Sequence, residues 1–206
     1  MEQSAGWVEE VVPVRGEQFE LLRPVDFEEL LIEEAFEREE LLPYWAHLWR
    51  SAVALAEDLA PRRLGGMRVL ELGCGLGLPS IVAARVGARV TATDWSSPAL
   101  RATAANAERN GVALETLRCA WEEPDEIVAR APWDLVLAAD VLYDRRNVGL
   151  LQDLLPRLRP REVLIADPGR AIAEAFLERA PERWRVRSRR HARDGVVRIH
   201  NLKPRA

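Results

Sequence analysis

The run Val69-Leu70-Glu71-Leu72-Gly73-Cys74-Gly75-Leu76-Gly77 constrains the fold of this chain more than any other stretch. Its apolar start reads as a buried strand over Arg68–Leu72, and the alternate glycines read as a sharp turn into a helix over residues 78–86. A strand that enters such a turn and leaves as a helix opens a parallel α/β sheet. Bare backbone at the turn also lets a ligand approach with no Cβ in the way.

The same alternation continues to the end of the chain. Residues 89–93 read as a second strand ended by Asp94. Ser96 or Ser97 can cap the next helix, with Pro98 in its first turn and Asn110-Gly111 as its stop. Further strands are expected over residues 114–119, 134–141 and 162–166, with helices over 125–130, 147–159 and 170–179. Two extended segments, 184–191 and 196–202, finish the chain around an Asp194-Gly195 turn typical of hairpins. The expected fold is therefore α/β: a doubly wound sheet of seven strands, mostly parallel, with an antiparallel C-terminal strand.

Residues 1–66 break the pattern. A small hairpin is expected over 8–14 and 18–22 around Arg15-Gly16, then an acidic amphipathic helix over 26–40, and a second helix over 44–59 behind Pro43. This stretch is too short for a core of its own. The chain is read as one domain, 1–206, with residues 1–66 as a lid across the carboxyl edge of the sheet and residues 67–206 as the core.

Composition narrows the function. No apolar run approaches the ~18 residues that span a bilayer, and Met1-Glu2-Gln3 begins neither a basic nor an apolar leader, so a cytoplasmic protein without a membrane partner is expected. Cys74 and Cys119, with only His47, His191 and His200, offer no ligand spacing for a metal. A net charge of −4, from 29 basic and 33 acidic residues, argues against a nucleic-acid partner held by bulk charge. The charge is nonetheless segregated: acids dominate residues 1–40 and bases dominate 183–206. The acidic helix can steer a lysine-rich surface to the protein; the favoured alternative is a solvated face balanced by Arg185, Arg187 and Arg189.

Glycine spacing discriminates between nucleotide cofactors. A dinucleotide fingerprint wants its third glycine or alanine three positions after the second, where this chain has Leu78; the third glycine is Gly77 instead. Asp94 follows Gly73 by 21 residues, at a strand end where a carboxylate faces the ribose of a nucleotide bound over the first turn. That placement suits either cofactor class. The plainer role for Asp94 is a cap on the next helix.

The order Glu-x-Gly-x-Gly-x-Gly resembles the first motif of class I methyltransferases that use S-adenosylmethionine. Together with Pro43-Tyr44-Trp45-Ala46-His47-Leu48-Trp49, Asp94, Ala120-Trp121 and Ala139-Asp140-Val141-Leu142-Tyr143, the chain resembles the family 16 methyltransferases over roughly residues 40–180. That group holds protein lysine methyltransferases and nicotinamide N-methylase-like relatives; the Pro-Tyr-Trp segment most resembles the branch acting on the electron transfer flavoprotein β subunit. The resemblance implies a Rossmann-like fold, S-adenosylmethionine as cofactor with S-adenosylhomocysteine as product, no metal, and an acceptor that is either an exposed lysine of a protein or a small amine. A monomer is the default.

It also implies roles by position. Glu71, Gly73, Cys74, Gly75 and Gly77 surround the methionine end of the cofactor, Asp94 the ribose with Trp95 beside it, and Trp121 the adenine. Many relatives place an acid before that tryptophan, but here the residue is Ala120. Trp45 and Trp49, one helical turn apart in the expected helix, both reach the pocket. Asp140 and Tyr143 border the transferred methyl, Asp140 holding the cofactor's ammonium or the incoming amine and Tyr143 orienting that amine. His47 reads as a surface or packing residue, and Tyr143 has the alternative of a core aromatic. Methyl transfer from a sulfonium depends mainly on positioning, and it needs a neutral amine although free lysine has a pKa of ~10.4. A cofactor-binding module without catalysis is the reading from a different class, and a nucleic-acid methyltransferase is disfavoured because the residues after the fourth strand lack the Pro-Pro-Tyr type that receives a flipped base.

Overall fold

The computed structural model describes residues 6–25 and 43–205; the expected acidic helix over 26–40 lies outside them. The chain begins with the antiparallel hairpin β1 (Trp7–Val14) and β2 (Glu17–Pro24), turning at Arg15-Gly16. Then follow a 3-10 turn (Tyr44–Ala46), helix α1 (Arg50–Leu59), β3 (Arg68–Leu72), α2 (Leu78–Arg85), β4 (Arg89–Asp94), α3 (Ser97–Arg109), β5 (Glu115–Arg118), α4 (Asp125–Ala129), β6 (Leu135–Ala139), α5 (Arg145–Arg157), β7 (Glu162–Asp167), α6 (Ala171–Arg179), β8 (Trp184–Arg190) and β9 (Arg198–Pro204).

Period-two alternation along the buried strands builds the two layers. Val69, Val90, Leu137, Leu164 and Ile199 face one side, where Leu55 and Leu59 of α1 and Ile81 and Val82 of α2 cover them. Leu70, Leu72, Val136, Ile165 and Leu202 face the other, against Ile127 of α4, Leu151 and Leu155 of α5 and Phe176 of α6. The strand order is β5-β4-β3-β6-β7-β9-β8, with β3 to β7 parallel. The chain winds outward from β3 in both directions, so a crevice opens at the carboxyl ends of β3 and β6 where the order reverses.

The expected antiparallel strand is present, one place in from the edge. β9 runs antiparallel to both β7 and β8, which leaves β8 as the outer strand. The crossover through α6 places β8 two strand spacings beyond β7, and the chain returns through the Asp194-Gly195 turn to fill the slot between them. Arg185, Arg187 and Arg189 stand exposed along this edge, where charge discourages pairing with another chain. Arg189 pairs with Asp58 of α1.

The described residues before 67 occupy three places. The hairpin lies against α3, where Asn106 and Asn110 imitate a neighbouring strand: Asn110 Oδ1 accepts from Glu20 N at 3.0 Å and Asn106 Oδ1 from Leu22 N at 2.7 Å, and both side-chain amides donate back to the carbonyls of those residues. The free edge of β2 is thereby satisfied. Helix α1 covers the sheet beside α2. Among the described residues before 67, the segment 43–49 and Ala52 of α1 face the crevice.

That segment corrects the single helix expected over 44–59. His47 and Trp49 are extended, with ψ of 136° and 141°, and α1 begins only at Arg50. The Trp49 indole N–H donates to Tyr44 O at 2.9 Å and so takes the carbonyl that a continuous helix would offer to Leu48. Trp45 and Trp49 therefore do not share one helical face. A smaller correction concerns β6, expected to reach residue 141: it stops at Ala139 because Asp140 turns to φ +60°. Among the described residues no helix is long and apolar enough to cross a membrane.

Asn106 carries both the hairpin and the glycine turn, since its Nδ2 also donates to Leu76 O at 3.0 Å. Asn106→Ala removes three hydrogen bonds and orphans buried backbone groups, so denaturant unfolding should report a loss of about 3 kcal/mol. A loss under about 0.5 kcal/mol would show that packing alone holds the hairpin.

Candidate functional site

Four strand ends and the segment before α1 meet around one cavity of about 690 Å³, within the ~300–1,000 Å³ usual for sites that enclose a small molecule. Its floor is the turn after β3. Gly75 sits at φ +53°, and a Cβ there would lie 3.2 Å from Trp45 O, so the 43–49 segment rests directly on the turn. Gly77 serves a different purpose: at φ +84° it is the N-cap of α2, and a Cβ would come within 2.7 Å of the Thr103 side chain. Thr103 Oγ1 donates to Gly75 O at 2.8 Å and faces Cys74 Sγ at 3.3 Å. Burial pushes the Cys74 thiol well above its ordinary range, so it acts as a small apolar wall rather than a nucleophile.

Asp94, at the end of β4, ties this turn to the next strand. Its Oδ2 accepts from Gly75 N at 3.0 Å and its Oδ1 from Ser96 N at 2.9 Å. Burial pushes its carboxyl up, and the amides of Ser96, Gly75 and Trp95 pull it back. Ser96 itself caps α3. A carboxylate has about four acceptor sites, more than these three amides use, so the capping role and a ligand role are compatible.

Glu71 is fully buried on β3. It accepts from Ser80 N at 3.0 Å and from Ser80 Oγ, while its Oε1 has no partner. Burial is the largest cause that raises its pKa to about 8, so it is mostly protonated at neutral pH and can donate from that orphan oxygen.

Aromatic rings form the walls and mouth. Trp95 (46% exposed) and Trp121 line the side below β4 and β5, with Ala120 offering no side-chain acceptor beside them. Tyr44, Trp45, His47 and Trp49 line the opposite side. The Tyr44 ring meets Tyr143 edge-on at 5.6 Å and Trp49 at 6.2 Å. Tyr143 is 44% exposed, which removes the core-aromatic alternative; burial raises its phenol pKa, so the hydroxyl is neutral. His47 is exposed and packs on Trp49 at 4.7 Å.

Asp140 also lines the cavity and is 8% exposed. Its carboxylate is paired with Arg170, from the loop before α6. Arg170 and Tyr44 are the residues that sequence reasoning did not single out. Adjacency of β6 and β7 was the available signal for Arg170, since it places the Asp167-Pro168-Gly169-Arg170 turn beside Asp140. All the other sequence-derived site residues line the same cavity: Trp45, Trp49, Glu71, Gly73, Cys74, Gly75, Gly77, Asp94, Trp95, Trp121 and Tyr143. Among the described residues no group of three or more His, Cys, Asp or Glu could hold a metal ion.

Residues 30–181 match a family described as lysine methyltransferase. The electron transfer flavoprotein β subunit lysine methyltransferase of Xenopus laevis is 37% identical over 136 residues, covering 63% of this chain and 54% of the relative. The protein N-lysine methyltransferase METTL21A of Danio rerio is 35% identical over 127 residues, 58% of each. The chain thus spans about half the length of the curated relatives it matches. Among solved structures, a T. thermophilus 16S rRNA N2 G1207 methyltransferase in complex with AdoMet and guanosine aligns with a TM-score of 0.66 at 18% identity, covering 97% of this chain and 51% of that one, a likeness of fold.

The raised Glu71 pKa predicts a pH signature. The folded state holds this proton up to about pH 8, whereas the unfolded chain releases it near 4.5, so between those values the folded state binds more protons and stability falls as pH rises. Relative to the wild type, Glu71→Gln should gain stability progressively across that window in thermal unfolding. A difference that stays flat from pH 4.5 to 8 would place the Glu71 pKa at its ordinary value.

Proposed function

The chain belongs to the lysine methyltransferase family, and from that premise we propose that it transfers the methyl group of S-adenosylmethionine to an amine nitrogen, most favourably a lysine side chain of a protein. The relatives' names favour the protein acceptor. The observation that carries the proposal is the contact of Asp94 with Gly75, which sets a buried carboxylate beside bare turn backbone at the floor of an aromatic-walled cavity.

The residues fit this cofactor. An adenosine needs a carboxylate for two ribose hydroxyls, a flat ring for its base and a close backbone approach; Asp94, Trp121 and Gly73-Cys74-Gly75 offer them in one cavity. A methionine tail has a carboxylate that accepts hydrogen bonds, and protonated Glu71 has an orphan oxygen from which to donate. When bound, S-adenosylmethionine supplies a methyl already activated on a sulfonium, so no metal or covalent intermediate is required.

The remaining work is positioning and water exclusion. Trp45 rests on the Gly75 backbone and closes the floor from above. Tyr143, Tyr44 and Trp49 make an aromatic collar whose ring faces can hold a cationic amine on arrival and whose Tyr143 hydroxyl can accept from the neutral amine. The acceptor must lose a proton to react, and a desolvated aromatic mouth beside a positive sulfonium favours that loss.

Incubation of the protein and methyl-labelled S-adenosylmethionine with an electron transfer flavoprotein, followed by hydrolysis to amino acids, tests the proposal. Label should appear as N-methylated lysine, and Tyr143→Phe should lower turnover by about tenfold or more at unchanged thermal stability. Absence of label from that protein, with label in small amines of a cell extract, would overturn the protein acceptor; label in neither would overturn the reaction.

A further inference from the structure

Asp140 faces the cavity from the end of β6, and what lies behind it decides the charge that the cavity presents. Three carboxyl groups line the interior: Glu71, Asp94 and Asp140, each less than a tenth exposed. Glu71 is mostly neutral at pH 7. Asp94 accepts from backbone amides, whereas Asp140 has a cationic partner, since Arg170 reaches its Oδ1 from outside the cavity wall.

The guanidinium is placed with care. Asp167 Oδ1 accepts from Gly169 N at 2.6 Å and from Arg170 N at 2.9 Å, which fixes the loop that carries the side chain. Arg170 Nη1 also lies 3.9 Å from Asp167 Oδ2, and its Cζ lies 6.0 Å from the centroid of the Trp49 ring. Asp140 adopts φ +60°, sparsely populated for a residue with a side chain, and its N–H donates to Ala166 O at 2.9 Å. A strained backbone and a capped loop thus converge on one ion pair whose carboxylate is 5% exposed and whose guanidinium is 30% exposed. Among the described residues, the other charged groups at the mouth are Asp144, Glu122 and Arg146, the last two paired at 2.8 Å.

We propose that Arg170 sets the charge of the cavity wall: it cancels Asp140, so that the site favours a sulfonium donor over its neutral thioether product only modestly. The two ligands differ by one positive charge at the sulfur. With Asp140 bare, the wall would carry an uncompensated anion and hold the cation more tightly than the product. With Arg170 in place the site accepts the cation without binding it too firmly to place its methyl in transfer. Arg170 is on this account a positioning residue, acting through Asp140. The inference rests on the cofactor reading above.

Ligand binding alone tests it, with no acceptor needed. Calorimetry at low salt gives dissociation constants for S-adenosylmethionine and S-adenosylhomocysteine, and their ratio cancels any general loosening of the fold. Arg170→Met should shift that ratio on the order of fivefold towards the sulfonium, as expected of one uncompensated charge in a partly hydrated pocket. Arg170→Lys should restore the wild-type ratio. Asp140→Asn, which leaves Arg170 unbalanced, should shift it the opposite way, and this variant serves if Arg170→Met does not fold. An unchanged ratio in Arg170→Met, or shifts of the same sign in Arg170→Met and Asp140→Asn, would overturn the role of Arg170. Failure of either ligand to bind the wild-type protein would overturn the cofactor reading and this inference together.

Discussion

The hydrogen bond from Gly75 N to the Asp94 carboxylate joins the turn after β3 to the end of β4, and the crevice takes its shape from that contact. A backbone bond from Cys74 N to Thr93 O at 2.9 Å joins the same two strand ends beside it. With both, the glycine backbone, the carboxylate and the start of α3 form one rigid floor. A buried carboxylate is costly unless its oxygens are satisfied, and backbone amides from both sides satisfy it here. The same group lines the cavity with acceptor capacity to spare, so an element of fold stability can also serve recognition.

The other parts of the molecule brace this floor. Thr103 holds Gly75 O, Asn106 holds Leu76 O, and both stand on α3. Asn106 and Asn110 extend the bracing outward by pairing the free edge of β2. The segment from Pro43 to Trp49 closes the floor from above, because the lack of a Cβ at Gly75 lets Trp45 approach the backbone. Sequence-distant pieces are thus drawn to one place by small residues and by side-chain amides that imitate backbone. The aromatic residues that remain outside this frame, Tyr44, Trp49 and Tyr143, are left to shape the mouth.

Much of this was legible in the sequence, for a physical reason. Buried parallel strands must be apolar on both faces, and turns that need positive φ select glycine, so the strands and the turn at Gly73 to Gly77 announce themselves locally. Asp94 was legible by its distance from that turn. The break in the expected helix over 44–59 was not, because it depends on an indole N–H competing for the carbonyl of Tyr44. Nor was the partner of Asp140. A residue that closes β6 meets a residue that follows β7 only once the sheet order is known, and no local pattern carries that pairing. The position of β9 inside β8 was illegible in the same way, since the hairpin signal fixes which strands pair but not which of them lies outermost.

The central claim is that the floor made by Asp94 and the glycine turn holds the nucleoside of S-adenosylmethionine. Isothermal titration of the wild-type protein and of Asp94→Ala with that compound tests it most directly. The account predicts saturable one-to-one binding that weakens by about 10- to 150-fold in the variant, the loss of charge-assisted hydrogen bonds worth ~1.5–3 kcal/mol. Equal affinities in the two proteins, or binding of a nicotinamide dinucleotide in place of S-adenosylmethionine, would contradict it.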